Sequence, residues 1–459
     1  MGPNWRRLTL VDRSNLAFES RDAPMHIGGI AILDGAGLQQ TAGTLDRSVL
    51  LTRLDRRLSR VPELRQRLWY PGLFRGGPVW VDDREFSIGR HVHVRALPAD
   101  TDVPDLLETA AKLLEPLLDR AHPLWDLWFL TGLTGSRVAL LFKLHHAVAD
   151  GLAAVALVSA LFDFEPGAPE PPSAPWLPRP WPSHSELVGD VWRRRAVSLR
   201  AALGHPVRSL RGLWSVLADA VVTVQGPRAP RTSFNQPVRA GRRYRVLNLE
   251  LETVRSVAHA HGGRINDAVL GIVASAMRDL LRSRGEPVEG VSLQVAVPVG
   301  LRAACDPREL GNAVGMMRLP LAIGDADPGR LLDLAAAATA EAKRTMHISQ
   351  ATGLVASLGI LGLTRPFIAH QNLVNLFVSN VPGPTRPIYV LGSKVLDAFP
   401  FTVLAGNIPV SFVAFSYAGR LNLVAQADPT AVPDVDVIGR GMACAWARLH
   451  AAWLRANVA

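Results

Sequence analysis

The chain has 459 residues, 48% apolar and 20% charged, which is enough for two globular cores of roughly 200 residues each and too apolar for a disordered protein. Its formal net charge of +10 rests on 50 basic residues, all but Lys112, Lys143, Lys343 and Lys394 being Arg; that bias looks like a GC-rich genome, which accounts for part of the Arg excess, and with no basic patch interleaved with stacking aromatics, nucleic-acid binding is not indicated. Cys305 and Cys444 lack a CxxC or metal-ligating neighbour, the N-terminus lacks the apolar core of a signal peptide, and no stretch reaches the ~18 to 20 apolar residues of a spanning helix. The expectation is a reduced cytoplasmic protein without disulfide framework, zinc site or membrane span.

Leu8 to Leu33 reads as a short helix, a turn at Asp22 to Pro24, and a strand through Ile27 to Leu33. Val49 to Ser59 is a basic amphipathic helix of the kind that packs on a surface. A strand region around Phe86 to Arg95 carries His91-x-His93 on one face, but without a third ligand it predicts no metal site. A helix over Leu106 to Leu118 runs into His122-Pro123-Leu124-Trp125-Asp126-Leu127-Trp128. Proline ends the preceding helix, and the tryptophans supply large apolar walls, for core packing or for substrate contact.

Val138 to Ala154, VALLFKLHHAVADGLAA, organises the first half. An apolar run broken only by Lys143 predicts a strand buried on both faces. His145 and His146 follow at its C-terminal end, and Asp150-Gly151 precede Leu152, Val155, Ala156 and Ser159 at helical spacing, with Asp150 placed to cap that helix. Imidazoles at a strand end are held rigidly against a crevice, and a pKa near 6.5 suits them to proton transfer.

Pro166 to Pro182 reads as a semi-rigid linker, which divides the chain into domains at 1–165 and 239–459, joined by the proline-rich stretch and basic crossover helices of 166–238. Leu187 to Val224 alternates apolar residues, Trp192 and Trp214 among them, with arginines such as Arg193, Arg194 and Arg195; it fits an interfacial helix on lipid or a crossover pair lying on the protein. Ala351 to Thr364 is an apolar stretch short enough for a core helix. Arg243 to Leu251 predicts a strand, and a helix follows with Asn266 as N-cap and Asp267 beside it. A strand over Val291 to Arg302 comes next, then a buried strand from Leu373 whose terminal turn holds Ser379 and Asn380, as turn formers or hydrogen-bond donors to substrate. Val410 to Gln426 reads as a hairpin about Ala418-Gly419, and a helix from Val437 closes the chain.

His145-His146-x-x-x-Asp150-Gly151 resembles the signature of the CoA-dependent acyltransferase superfamily. Asp12, Glu19, Pro24-Met25-His26, Val61 to Arg65, Pro123-Leu124-Trp125, Asn266-Asp267, Gly311-Asn312 and Ser379 to Pro384 stand in the order of the bacterial wax ester synthase/diacylglycerol acyltransferase family, which usually has Ser where Gly300 stands. That resemblance implies an α/β fold of two chloramphenicol-acetyltransferase-like domains with mixed sheets and the active site between them. It further implies acyl transfer from long-chain acyl-CoA, a co-substrate with no separate cofactor, to diacylglycerol or a fatty alcohol. His146 would be the general base and Asp150 would hold the loop through an arginine. Peripheral contact with a membrane or lipid droplet would deliver the insoluble acceptor. The rival expectation is a non-catalytic lipid-binding protein of the same fold.

Overall fold

The structure, a computed structural model, describes residues 5–38, 45–149, 151–159, 161–172, 175–204, 227–300, 314–344 and 368–458. Its strands are β1 (Arg6–Arg7), β2 (His26–Leu33), β3 (Gln66–Trp69), β4 (Val79–Asp82), β5 (Val92–Thr101), β6 (Trp125–Leu133) and β7 (Arg137–His145) in the first half. In the second half they are β8 (Arg243–Glu250), β9 (Ser292–Gly300), β10 (Val314–Ala322), β11 (Leu376–Pro382), β12 (Tyr389–Val390), β13 (Ser393–Phe401), β14 (Val410–Tyr417) and β15 (Arg420–Ala427). They form two mixed six-stranded sheets, ordered β12-β13-β2-β7-β6-β5 and β10-β9-β11-β14-β15-β8, and a small sheet β1-β4-β3.

Each large sheet has its own helices and core. In the second lobe the helix Ile265–Ser283 buries Val269, Ile272, Val273, Ala276 and Leu280 in one core with residues of β9, β11 and β14, and the helices Pro328–Arg344 and Val435–Val458 lie alongside it. In the first lobe β7 is buried at every residue from Val138 to His145, as its apolar run predicts, because β2 and β6 flank it and side chains pack on both faces. Ala418 and Gly419 take positive φ of 44° and 84°, which a two-residue hairpin of the primed type requires.

The lobes are interlocked. β13 comes from the second half of the chain but pairs antiparallel with β2, completing the first lobe's sheet. Its polar side is fastened to the second lobe: Gln426 binds both the N–H (3.1 Å) and the C=O (2.8 Å) of Thr402, and Asn422 donates to Ala398 O (2.7 Å) and to buried Asp397. A shared core of Ile30, Leu106, Leu141, Tyr244, Phe399 and Phe401 fills the space between the sheets.

The proline-rich segment is fastened to the first lobe. Arg179 forms a fork on Asp82 (2.8 and 2.8 Å), Trp181 donates to Asp82 O (2.8 Å) and Trp176 to Asp83 O (3.0 Å). The helix that follows, His184–Gly204, buries Leu187 against Val79 and Val81 and then leaves the surface. Ala351 to Thr364, Trp214, Cys305, Gly311 and Asn312 lie outside the described residues, as does Asp150.

Candidate active site

The site begins with a helix that a capping box fixes in place. Asp12 N–H donates to Thr9 Oγ1 (3.1 Å) and Thr9 N–H to Asp12 Oδ2 (2.9 Å), starting the helix Leu10–Phe18 at one defined residue. Asp12, Asn15, Leu16 and Glu19 then fall at i, i+3, i+4 and i+7 and are all buried, with Asn15 and Glu19 meeting the histidines at the end of β7.

Glu19 is the hub. His26 on β2 and His145 on β7 are directly opposed in the sheet register, so their side chains share a face. Ala147 N–H donates to His145 Nδ1 (2.9 Å), which leaves the proton of the neutral ring on Nε2, 3.2 Å from Glu19 Oε1. That contact is close but poorly aligned for a hydrogen bond, and we read it as electrostatic attraction. Arg120 donates to Glu19 Oε2 (3.0 Å) and to Leu16 O (2.8 Å), and Met25 N–H approaches Oε1 at 3.4 Å. Burial acts to raise the Glu19 pKa, yet His145 first, then Arg120 and His26, hold it down at about 2.

Two more buried groups brace this face. His26 Nδ1 donates to Leu114 O (2.9 Å), which favours the charged ring, but burial first and then Lys143 prevail and push its pKa down to about 3, keeping it neutral. Lys143 fills the gap in the apolar run without reaching water; it donates to Leu113 O (3.2 Å) and Pro116 O, carbonyls left open at the C-terminal end of the helix Val103–Leu114. Burial lowers its pKa to about 8.

His146 differs from its neighbour in exposure. His145 has no accessible surface, whereas His146 is half-buried at the strand end. Its N–H donates to Met25 O (2.8 Å), continuing the β2–β7 ladder one residue past the strand. Asn15 Nδ2 donates to His146 O (3.2 Å) and stands 3.3 Å from Nδ1 of the ring. One imidazole is therefore locked inside and the next is presented from a braced loop, the arrangement a proton-transfer group needs. Gly151 opens the helix Gly151–Ser159 beyond this loop.

Pro123, Leu124 and Trp125 lie directly behind the histidines and are buried, with His145 N–H donating to Leu124 O (3.0 Å) and the Trp125 indole to Leu64 O (2.7 Å). His91 stacks on Trp125 at 4.6 Å, just before β5 begins, and no group of three metal-ligating side chains occurs among the described residues.

Asn266, Asp267, Ser379 and Asn380 belong to the second lobe. Asn266 is not the N-cap: Arg264 takes that position and Asp267 Oδ2 accepts its N–H (2.8 Å), so an acidic side chain reaching back from the third helical residue prevails over the capping preference of Asn. Ser379 and Asn380 are half-buried in β11 and not in the turn after it, because parallel pairing with Val413 and Ala414 of β14 continues to Pro382. Asn15, Arg120 and Lys143 escape sequence reasoning, although the spacing of Asp12, Asn15 and Glu19 is a visible helical stripe.

Two interlocked lobes with mixed sheets, and a histidine pair at the end of a central strand, are the arrangement that the family resemblance implies. The wax ester synthase/diacylglycerol acyltransferase of Marinobacter aquaeolei VT8 superposes with a TM-score of 0.73 over 98% of this chain and 99% of that one at 23% identity. The starter condensation domain of the rhizomide synthetase, solved with C8-CoA, gives 0.57 over 98% and 95% at 13% identity. Residues 8–269 match the wax ester synthase/diacylglycerol acyltransferase catalytic domain and residues 310–449 the WS/DGAT C-terminal domain. A Mycobacterium tuberculosis protein described as a probable diacylglycerol O-acyltransferase is 30% identical across 98% of this chain and 97% of its own length. The chain belongs to the wax ester synthase/diacylglycerol acyltransferase family.

Proposed function

We propose that this protein transfers the acyl group of a long-chain acyl-CoA to the hydroxyl of diacylglycerol, forming triacylglycerol, or of a fatty alcohol, forming a wax ester. The observation that carries this reading is the contrast between His145, sealed inside at the end of β7 and tied to Glu19, and His146, half-buried on the braced loop that follows. His146 acts as general base. It takes the proton of the acceptor hydroxyl as that oxygen attacks the thioester carbonyl, and returns it to the departing CoA thiolate. The nucleophile is the substrate's own oxygen, so no covalent acyl-enzyme is required. His145 positions the loop, Asp150 takes the loop-holding role that the family resemblance implies, Gly151 begins the helix beyond it, and acyl-CoA serves as co-substrate without a further cofactor. The buried Pro123, Leu124 and Trp125 form the wall behind the histidines.

The acceptor and product are nearly insoluble, so the enzyme works at a lipid surface on the cytoplasmic side. The helix His184–Gly204 supports this: beyond Leu187 it exposes Trp192 (64%), Leu199 (61%) and Leu203 (72%) beside the exposed Arg193, Arg194 and Arg195. A basic stretch with apolar residues matches an anionic interface. Among the described residues no helix is long and apolar enough to cross a membrane.

The test is incubation of purified protein with radiolabelled palmitoyl-CoA and either dioleoylglycerol or hexadecanol. Labelled triacylglycerol or wax ester is the expected product; label that remains in palmitoyl-CoA or appears only as free fatty acid refutes the transferase reading.

A further inference from the structure

The β3–β4 hairpin closes through residues 70–78, and its tip carries the most exposed apolar pair among the described residues: Leu73 is 84% exposed and Phe74 90%, with Tyr70 at 53% beside them. Exposure at this level is not the default of a loose loop, because the tip is held. Phe74 takes φ 64°, a left-handed conformation uncommon for an aromatic residue, between Gly72 (φ 87°) and Gly76 (φ 84°). Arg75 donates back to Pro71 O (2.9 Å). Arg7 donates to Arg75 O (3.0 Å) and Gly77 O (2.9 Å). The same guanidinium also meets Leu187 O (3.3 Å) and Asp190 (2.9 Å), so one arginine joins the base of the tip to the basic helix His184–Gly204.

We infer that the Tyr70–Phe74 tip is an apolar wedge that enters an anionic lipid surface beside that helix. The inference rests on the lipid association proposed above and deepens it by naming the inserting element. Charge complementarity selects the occupant. The neighbouring helix contributes Arg193, Arg194 and Arg195, so a phosphate-bearing lipid layer satisfies the cations while its acyl boundary takes Leu73 and Phe74. A folded protein partner would leave the arginines to find carboxylates in a matching groove, whereas a lipid layer needs no such match. The helix attracts electrostatically and the wedge holds by burial, so the two contributions differ in their response to salt.

The experiment compares co-sedimentation with phosphatidylglycerol-containing vesicles, at low and high salt, for the wild type, Leu73→Ser/Phe74→Ser, Leu73→Phe/Phe74→Leu and Arg193→Gln/Arg194→Gln/Arg195→Gln. Acyl transfer to a detergent-dispersed acceptor is measured beside it. The serine pair is expected to lower partitioning by on the order of 10² at both salt concentrations, since two apolar side chains lose their burial. Its detergent activity should be unchanged, and the swapped apolar pair should partition as the wild type does. Wild-type partitioning by the serine pair overturns the wedge while leaving the lipid reading intact if the arginine variant is impaired. A wild type that does not sediment overturns both. Loss of detergent activity by the serine pair also overturns the wedge, because the tip would then support the fold or the site.

Discussion

Glu19→Gln keeps the shape of the hub and removes its charge. The carboxylate is 2% exposed and sits 3.0 Å from Arg120, 3.2 Å from His145 Nε2 and 3.6 Å from His26 Nε2. Its pKa falls from the ordinary 4.5 to about 2, and a shift of that size corresponds to about 3 kcal/mol of stability. For a carboxyl whose folded pKa is depressed, that contribution is complete above the unfolded pKa and is lost as pH falls through the folded one. The wild-type advantage over Glu19→Gln should therefore be full at pH 7 and shrink to less than roughly half by pH 3. With an unfolding entropy near 1 kcal/mol/K for a chain of this length, the variant should melt about 3 °C lower at pH 7. Turnover should fall too, because a loosened His145 lets the His146 loop drift, and a misplacement of about 1 Å costs about 10²-fold. Differential scanning calorimetry across this pH range, paired with acyl-transfer rates at pH 7, makes the measurement. A variant that melts and turns over like the wild type at pH 7 would remove Glu19 from the site.

Asn15→Ala should lower kcat about tenfold with little change in KM for acyl-CoA, since it frees the His146 carbonyl and ring without touching substrate; steady-state kinetics read this split. Asp397→Ala should cost about 2 kcal/mol, because the fully buried Asn422 amide and Asn248 lose an acceptor where β13 joins the lobes, a loss that urea unfolding measures. Arg193→Gln/Arg194→Gln/Arg195→Gln should reduce partitioning onto anionic vesicles by about 10² and leave the remainder less sensitive to salt, with detergent activity preserved. Unchanged sedimentation would return these arginines to a solvated surface.

Legibility in the sequence followed how local each feature's cause is. β7 is plain because an apolar run flanked by turns has few other places to go, and the hairpin at Ala418-Gly419 because its turn chemistry is contained in two residues. The histidine pair and its family motif were legible for the same reason. The hub was not, since Glu19 joins residues 101 and 126 positions away and nothing local marks Arg120 as its partner. Lys143 looked like an interruption of a strand; only the carbonyls at the end of the helix Val103–Leu114 explain how a lysine is buried there. β13 was not read in the sequence at all: its buried and exposed residues alternate, but nothing local says that a strand there completes the other lobe's sheet. Ser379 and Asn380 were misplaced because Pro382-Gly383-Pro384 signals a turn, while parallel pairing with β14 extends the strand to Pro382.

The most direct measurement is the rate of labelled palmitoyl transfer to dioleoylglycerol and to hexadecanol by His146→Ala beside the wild type, with a thermal melt of each. If His146 is the general base, turnover drops by on the order of 10² to 10⁴ while the melt is unchanged, because the half-buried ring is not part of the buried hub. Wild-type turnover by His146→Ala on both acceptors would contradict the mechanism.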